Sequence, residues 1–252
     1  MSESTAATSP GDDYWALARQ PLHSLLFLLP LLGIYELGVH RLGASDEAFR
    51  SGADYWMRTA LRQIGLEYSA TLPLIVIVSL CAWHLAGRYR WKLSASTLIG
   101  MLAESLLLGS GLVLLGQLQD LAFHHATAEN VPLAVTGFVA GAESIPDAVG
   151  YLGAGIYEEV LFRLCLLPIV YRLLRLVRLP GAGALAIAAT SGLFSLAHYV
   201  GPAADPWALD SFSFRLVAGV VFAGLFLLRG FGVTVGAHAA YDLLVGVVLP
   251  TA

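Results

Sequence analysis

The feature that most constrains the fold of this chain is a series of apolar segments, each about as long as a helix that crosses a bilayer. A transmembrane helix needs about 20 mostly apolar residues, and its backbone polar groups must be satisfied within the segment itself. We therefore predict an all-α fold, a polytopic membrane helix bundle with about seven transmembrane helices. An eighth span or a re-entrant segment is the alternative. The seven predicted spans are residues 21–40, 68–87, 96–118, 147–170, 181–199, 212–228 and 231–249.

The composition agrees with a membrane protein and excludes an ordinary soluble domain. Hydrophobic residues make up 57% and charged residues 13% of the 252 residues, and the mean hydropathy is +0.72. A soluble domain carries about 25% charged residues. The expected surroundings are therefore the lipid bilayer, and we predict no nucleic acid partner. Residues 1–13 are polar and acidic and lack the features of a signal peptide, so we predict that they are disordered.

The segment at about 47–64 has a different pattern, with charged and apolar residues on separate faces of a helix. Such a pattern is typical of a helix that lies in the membrane interface. It is either a surface connector or a gate or docking surface beside a functional site. Its apolar stripe is Phe49, Ala53, Trp56, Met57, Ala60 and Ile64, and its charged stripe is Arg50, Asp54, Arg58 and Arg62. We place this helix in an N-terminal transmembrane region, residues 14–146, which precedes a core at residues 147–252.

Basic residues concentrate in three of the predicted loops. Arginines and Lys92 follow the second, fourth and sixth spans, whereas the loops at 119–146 and 200–211 carry acidic residues only. Cytoplasmic loops are enriched in Lys and Arg, so we expect the basic loops to be cytoplasmic. Almost every basic residue is an arginine, which is typical of a GC-rich bacterial genome. We therefore expect a multi-pass protein of a bacterial inner membrane.

Two adjacent glutamates and an arginine interrupt the fourth apolar segment. Residues four apart share one face of a helix, so Glu159 and Arg163 can form an ion pair. Glu158 is rotated by about 100° from its neighbour, which leaves its carboxylate uncommitted. Ionisable residues are costly in hydrocarbon and indicate a functional chamber. An ion pair that only fixes helix packing is the structural alternative.

Two further spans contain a histidine with a partner four residues away. Phe194 precedes His198 on the fifth span, and His238 precedes Asp242 on the last, where the carboxylate can orient the imidazole. Gly232 and Gly236 are spaced so that a neighbouring helix can approach closely. The predicted span boundaries put the two histidines about 15 Å apart in depth. If they share a site, either the fifth span begins later than Gly181 and Gly201-Pro202 breaks it inside the membrane, which we expect, or the helices tilt strongly towards each other.

Together these residues resemble the CPBP family, the intramembrane CAAX prenyl protease type II enzymes and their bacterial Abi-type relatives. The resemblance covers residues 147–249. It is carried by three motifs on separate spans: Glu158-Glu159-Val160-Leu161-Phe162-Arg163, Phe194-Ser195-Leu196-Ala197-His198 and His238-Ala239-Ala240-Tyr241-Asp242. The last position is asparagine in the best-studied CAAX proteases and aspartate in many bacterial relatives. An ionised Asp242 accepts hydrogen bonds but cannot donate one.

The resemblance implies an intramembrane endopeptidase that acts on a membrane-associated protein or peptide. Glu158 and His198 would activate water, His238 and Asp242 would stabilise the oxyanion, and Glu159 and Arg163 would shape the site. Phe194 is a candidate substrate-binding residue.

We favour glutamic catalysis without a cofactor, because the sequence lacks H-E-x-x-H and has no closely spaced histidines in the spans. The alternative is a zinc enzyme with Glu158, His198 and His238 as ligands. Two other classes remain open: a non-proteolytic binding or immunity factor of the same fold, and an ion-coupled transporter. A transporter would favour inverted repeats, which the sequence does not display.

Overall fold

The computed structural model of the chain describes residues 14–42, 50–127, 145–201 and 204–249. Every regular element in these ranges is a helix, which confirms the predicted all-α class. The α-helices are α1 (Tyr14–Ala18), α2 (Pro21–Leu42), α3 (Gly52–Gln63), α4 (Thr71–Ala86), α5 (Ala95–Thr127), α6 (Ile145–Glu159), α7 (Leu167–Leu176), α8 (Ala182–Ala197), α9 (Leu209–Arg229) and α10 (Phe231–Leu243), with π-helical segments at Val160–Leu166 and Leu244–Val248.

Within the described ranges, four of the helices are long and apolar enough to cross a membrane, and the chain is an integral multi-pass membrane protein. The four are Pro21–Leu42, Ala95–Phe123, Leu209–Arg229 and Phe231–Val248. Thr71–Ala86 and Ala182–Ala197 are apolar but shorter. The count of seven spans stays a prediction, as do the domain boundaries. The predicted disordered segment, residues 1–13, lies outside the described residues.

The fourth predicted span is one continuous run of helix that changes type in its middle. A π-helical segment, Val160–Leu166, separates α6 from α7, and the backbone N–H of Leu167 bonds to the carbonyl of Phe162, five residues back. Pro168 follows directly. It has no N–H to donate, and its ring clashes with the carbonyl four residues earlier in an ordinary α-helix. Such π segments recur at functional sites. This one begins directly after Glu159.

Helix α10 lies at the centre of the bundle, with almost all its side chains buried among α2, α5, α6 and α9. Its small residues permit this packing. A Cβ atom on Gly236 would lie 2.2 Å from Oγ of Ser105 on α5. One on Gly232 would lie 2.9 Å from Cα of Ser24 on α2. The close helix approach predicted from the glycine spacing is therefore confirmed.

The fifth span is not displaced as expected, because α8 begins at Ala182, directly after Gly181. The helices are instead staggered along the bundle. Helix α8 ends at Ala197, just before His198, whereas α10 and its π segment continue past His238 as far as Val248. The end of α8 thus lies beside the middle of α10, and the ring centroids of Phe194 and His238 are 5.9 Å apart.

Helix α3 confirms the predicted amphipathic helix at residues 52–63, while residues 47–49 lie outside the described range. Part of its charged stripe faces inward. The buried carboxylate of Asp54 accepts hydrogen bonds from the hydroxyl of Tyr35 at 2.6 Å, from Arg50 at 2.8 Å and from Arg58 at 2.6 Å. Arg58 also pairs with Glu36 at 2.8 Å. Because a buried charge is stable only when paired, the cluster fastens α3 to the bundle.

Candidate active site

The structure brings the first glutamate of α6 and both predicted histidines to one point. Oε2 of Glu158 lies 3.8 Å from Nε2 of His198 and 3.8 Å from Nε2 of His238. This oxygen is buried and has no hydrogen-bond partner within the described part of the protein. The distances exceed a direct hydrogen bond and match groups joined through a water molecule. Helices α6, α8 and α10 therefore converge on a shared polar point.

The position of His198 at the end of α8 determines which of its ring nitrogens donates a hydrogen bond and which faces Glu158. The last carbonyl groups of a helix lack backbone N–H partners. Nδ1 of His198 lies 2.9 Å from the carbonyl oxygen of Phe194, so Nδ1–H donates to that carbonyl. In the neutral ring, Nε2 then carries the lone pair and faces Glu158.

The ring of His238 lies between two carboxylates. Its Nδ1 donates a hydrogen bond to Oε1 of Glu159 at 2.7 Å, and its Nε2 lies 3.5 Å from Oδ2 of Asp242. The predicted shared face of His238 and Asp242 is confirmed. That Asp242 orients the ring stays a prediction, and Glu159 makes the closer hydrogen bond, to the other ring nitrogen. Glu159 belongs to another helix, so helical spacing could not reveal this contact.

Glu159 and Arg163 form the predicted ion pair, with Nε and Oε2 3.2 Å apart. Both side chains are buried. The guanidinium of Arg163 also donates to the carbonyl of Gly219 at 3.2 Å and lies 4.5 Å from the ring centroid of Phe194. Glu159 thus links a fixed cation to the imidazole of His238.

Aromatic rings hold the two imidazoles in place. Phe194 packs edge-on against His198, with centroids 5.1 Å apart, and it also lines the cavity at the site. Its predicted contact with substrate stays a prediction. Phe222, which the sequence analysis did not identify, stacks on His238 with centroids 4.4 Å apart and planes within 16°. No helical spacing within one segment links these two residues, because they lie on α9 and α10.

A cavity of about 190 Å³ adjoins these groups. At about 30 Å³ per water molecule, it has room for about six. Its walls include Arg215 and Asp205, neither of which the sequence analysis singled out. The signal that the sequence offered for Arg215 was an arginine inside a predicted apolar span. The polar and aromatic lining residues are Tyr151, Glu158, Phe194, His198, Asp205, Phe214, Arg215, Phe222, His238, Tyr241 and Asp242.

The residues proposed as zinc ligands do not form a metal site as they are placed. Among the described residues, no group of three or more His, Cys, Asp or Glu side chains is arranged to hold a metal ion. Ligands of one tetrahedral zinc ion lie about 2.0–2.2 Å from it, so their mutual distances are shorter than the 3.8 Å between Glu158 and each imidazole.

Comparison with known proteins identifies the family. Residues 145–244 match a family model described as Rce1-like, type II CAAX prenyl endopeptidase Rce1-like. This segment contains all three polar motifs, and the match supports its placement in the CPBP family of CAAX proteases, a family of membrane-embedded hydrolases. Neither the curated proteins nor the solved structures contain a significant match to the chain.

Proposed function

We propose that this protein is an intramembrane endopeptidase of glutamic type, which hydrolyses a peptide bond in a membrane-associated protein or peptide. The observation that carries the proposal is the uncommitted Oε2 of Glu158, 3.8 Å from Nε2 of both His198 and His238. Three elements far apart in sequence supply these atoms, so an ion pair that only joins two helices does not account for them.

Glu158 and His198 prepare the nucleophile. A water molecule between Oε2 of Glu158 and Nε2 of His198 donates one hydrogen bond to each. As its oxygen attacks the scissile carbonyl carbon, Glu158 takes a proton, and the same carboxyl group later gives that proton to the leaving nitrogen as the C–N bond breaks. The hydrogen bond from Nδ1 of His198 to Phe194 keeps Nε2 in the acceptor state during attack.

His238 stabilises the oxyanion of the tetrahedral intermediate. When the ring carries both protons, Nδ1–H remains bonded to Glu159 and Nε2–H is directed towards the cavity. Asp242 lies near Nε2 and balances the charge of the ring. The Glu159 and Arg163 pair holds the imidazole in this orientation, so the donor is in place before the negative charge develops.

The proposed substrates are segments presented at the membrane, and prenylated C-terminal tails, signal-like segments, bacteriocin leaders and sorting segments are the candidates. We place the protein in a bacterial inner membrane, because its basic residues are all arginine except Lys92 and three of its predicted loops are basic. No cofactor is part of the proposal. Zinc held by Glu158, His198 and His238 is the alternative that a chelator tests.

The test is a comparison of Glu158→Gln, Glu158→Ala and His198→Ala with the unaltered protein. Cells that carry each form are analysed by mass spectrometry for uncleaved membrane peptides, and the purified proteins are assayed on those peptides with and without a chelator. Loss of a general base lowers rates by about 10²- to 10⁴-fold. We expect losses in this range with folding retained, and chelator resistance in the unaltered enzyme.

Two outcomes contradict the proposal in different ways. Unchanged processing in all three variants removes the enzyme and leaves a binding or immunity factor, or a transporter. Loss of activity on chelation, restored by zinc, retains the protease but replaces glutamic catalysis with a metal mechanism.

A further inference from the structure

We infer that Arg215 forms a carboxylate-binding subsite of the catalytic cavity, and that Asp205 occupies this subsite until a substrate carboxylate replaces it. The inference rests on the proposed function and extends it by assigning the side chain that positions the substrate in the cavity. The carboxylate that Arg215 binds is either the C-terminus of the peptide or an acidic side chain, within a few residues of the scissile bond.

The first observation is the position of Arg215. Its side chain is only 7% exposed, yet it lines the same cavity as Glu158, His198 and Asp242. A charged group in a largely apolar cavity is costly unless an anion accompanies it. The cavity holds only about six water molecules, so a carboxylate bound to Arg215 lies close to the scissile bond beside Glu158. Two extended residues span at most about 7 Å, which means that the carboxylate and the scissile bond are only a few residues apart in the peptide.

The second observation is the asymmetry of the ion pair between Arg215 and Asp205. Asp205 also lines the cavity, but its side chain is 48% exposed. Its carboxylate is half-exposed and can turn to water, whereas the guanidinium of Arg215 is buried and stays in the cavity. The cost of separating the pair therefore falls on Arg215, which needs another anion in place of Asp205. A substrate carboxylate in place of Asp205 preserves the charge balance, and the planar guanidinium can bind it with two hydrogen bonds.

The third observation is that Arg215 has support besides Asp205. Its guanidinium lies 5.4 Å from the ring centroid of Tyr199, a geometry that favours a cation. Asp205 is held to the site through its backbone, since its N–H donates to the carbonyl of His198 at 2.9 Å. The carboxylate of Asp205 can therefore leave while the backbone of its segment stays beside His198.

The remaining charges make Arg215 the place where an anion binds. Glu158, Asp205 and Asp242 all line the cavity and repel a ligand carboxylate when ionised, whereas Arg215 is the one Lys or Arg in the described lining. The ring of His238 also lines the cavity, but when it is charged it already lies between the carboxylates of Glu159 and Asp242. A peptide carboxylate is thus directed to the Arg215 end of the cavity. This placement fixes which way the chain runs past Glu158.

The test measures binding rather than cleavage and uses the full-length Glu158→Gln protein in lipid nanodiscs. The probe is a short, fluorescently labelled leucine and alanine peptide. It is made with a free C-terminal carboxylate, as the C-terminal amide, and as the amide with one internal glutamate. Two arms thus separate a terminal carboxylate from an acidic side chain, and the neutral amide is the reference.

We expect the carboxylate probes to bind more tightly than the neutral amide, and Arg215→Gln to weaken only the carboxylate probes, by about 10- to 100-fold. Arg215→Lys should keep part of the preference, since it keeps the charge but not the planar fork. Asp205→Asn should tighten binding of the carboxylate probes, because the competing anion is gone. Arg229→Gln is the matched control, since Arg229 pairs with Glu104 at the other end of α9.

If Arg215→Gln and Asp205→Asn weaken the binding of all three probes equally, the ion pair has only a structural role and the inference is wrong. Equal binding of all three probes to the Glu158→Gln protein also overturns it. Since no probe is cleaved, a preference for carboxylates that depends on Arg215 would persist even if the protein proved not to be a protease. If the unaltered protein cleaves peptides but shows no preference for carboxylates, the proposed function stands and only the Arg215 subsite is contradicted.

Discussion

Glu159 accepts a hydrogen bond from Nδ1 of His238 at 2.7 Å, and so joins the centre of α10 to the start of the π-helical segment. The other oxygen of the same carboxylate faces Nε of Arg163 at 3.2 Å. The two neighbouring glutamates of α6 therefore have different surroundings. Glu159 has a hydrogen bond on Oε1 and an ion pair on Oε2, whereas Oε2 of Glu158 points between two imidazoles.

Glu159→Ala should destabilise the protein strongly, because it leaves the cation of Arg163 buried without its partner. Removal of one member of a buried ion pair costs about 3–5 kcal/mol. The measurement is thermal unfolding in detergent. The neighbouring Glu158→Ala is the matched control and should change the Tm little, since Oε2 of Glu158 has no partner to lose. Equal decreases in Tm for Glu159→Ala and Glu158→Ala would contradict the different roles assigned to the two glutamates.

Phe222→Leu should lower kcat by about 2- to 10-fold with little change in KM. The leucine fills much of the space but loses the ring stacked on His238, and such a contact contributes about 0.5–1.5 kcal/mol. Steady-state kinetics on a cleavable membrane peptide measure this. Phe226→Leu, one turn along α9 and packed near Trp83 and Phe231, is the control. The stacking has no role in catalysis if both variants keep full kcat.

Gly155→Ala should reduce both stability and activity, because α6 and α10 touch there. A Cβ atom at position 155 would lie 2.8 Å from the backbone nitrogen of Ala239, next to His238. Overpacking of this kind costs about 1–3 kcal/mol. Unfolding midpoints and cleavage rates are compared with those of Gly192→Ala on α8, where a Cβ meets nothing within 4 Å. That control should be neutral or stabilising, and a harmless Gly155→Ala would disprove the close approach.

Asp54→Ala should release α3 from the bundle. The buried carboxylate accepts hydrogen bonds from Tyr35, Arg50 and Arg58, and its loss leaves two cations without their central partner. Trypsin cleaves after arginine, so faster cleavage within α3 is the readout, followed by mass spectrometry. Glu67→Ala removes an exposed carboxylate nearby and should leave cleavage unchanged. Trypsin resistance equal to that of the unaltered protein would contradict the fastening role of Asp54.

Contacts within one helix were predictable from spacing. The pair of Glu159 and Arg163, the shared face of His238 and Asp242, and the ring of Phe194 beside His198 are each four residues apart, and all three contacts form. Spacing failed where the contact joins two helices. It placed Asp242 beside His238 but could not reveal the closer carboxylate, that of Glu159 on another helix.

The amino-acid sequence by itself determined that this chain is a helical membrane protein, because apolar length and backbone hydrogen bonding permit few other structures in lipid. It also determined which helices carry the acids and imidazoles. Only the tertiary structure decided that α8 ends beside the middle of α10, that Glu158 faces both imidazoles, and that Arg215 shares their cavity. The stagger and rotation of packed helices depend on side-chain fit between segments far apart in the chain, and local periodicity carries no information about that fit.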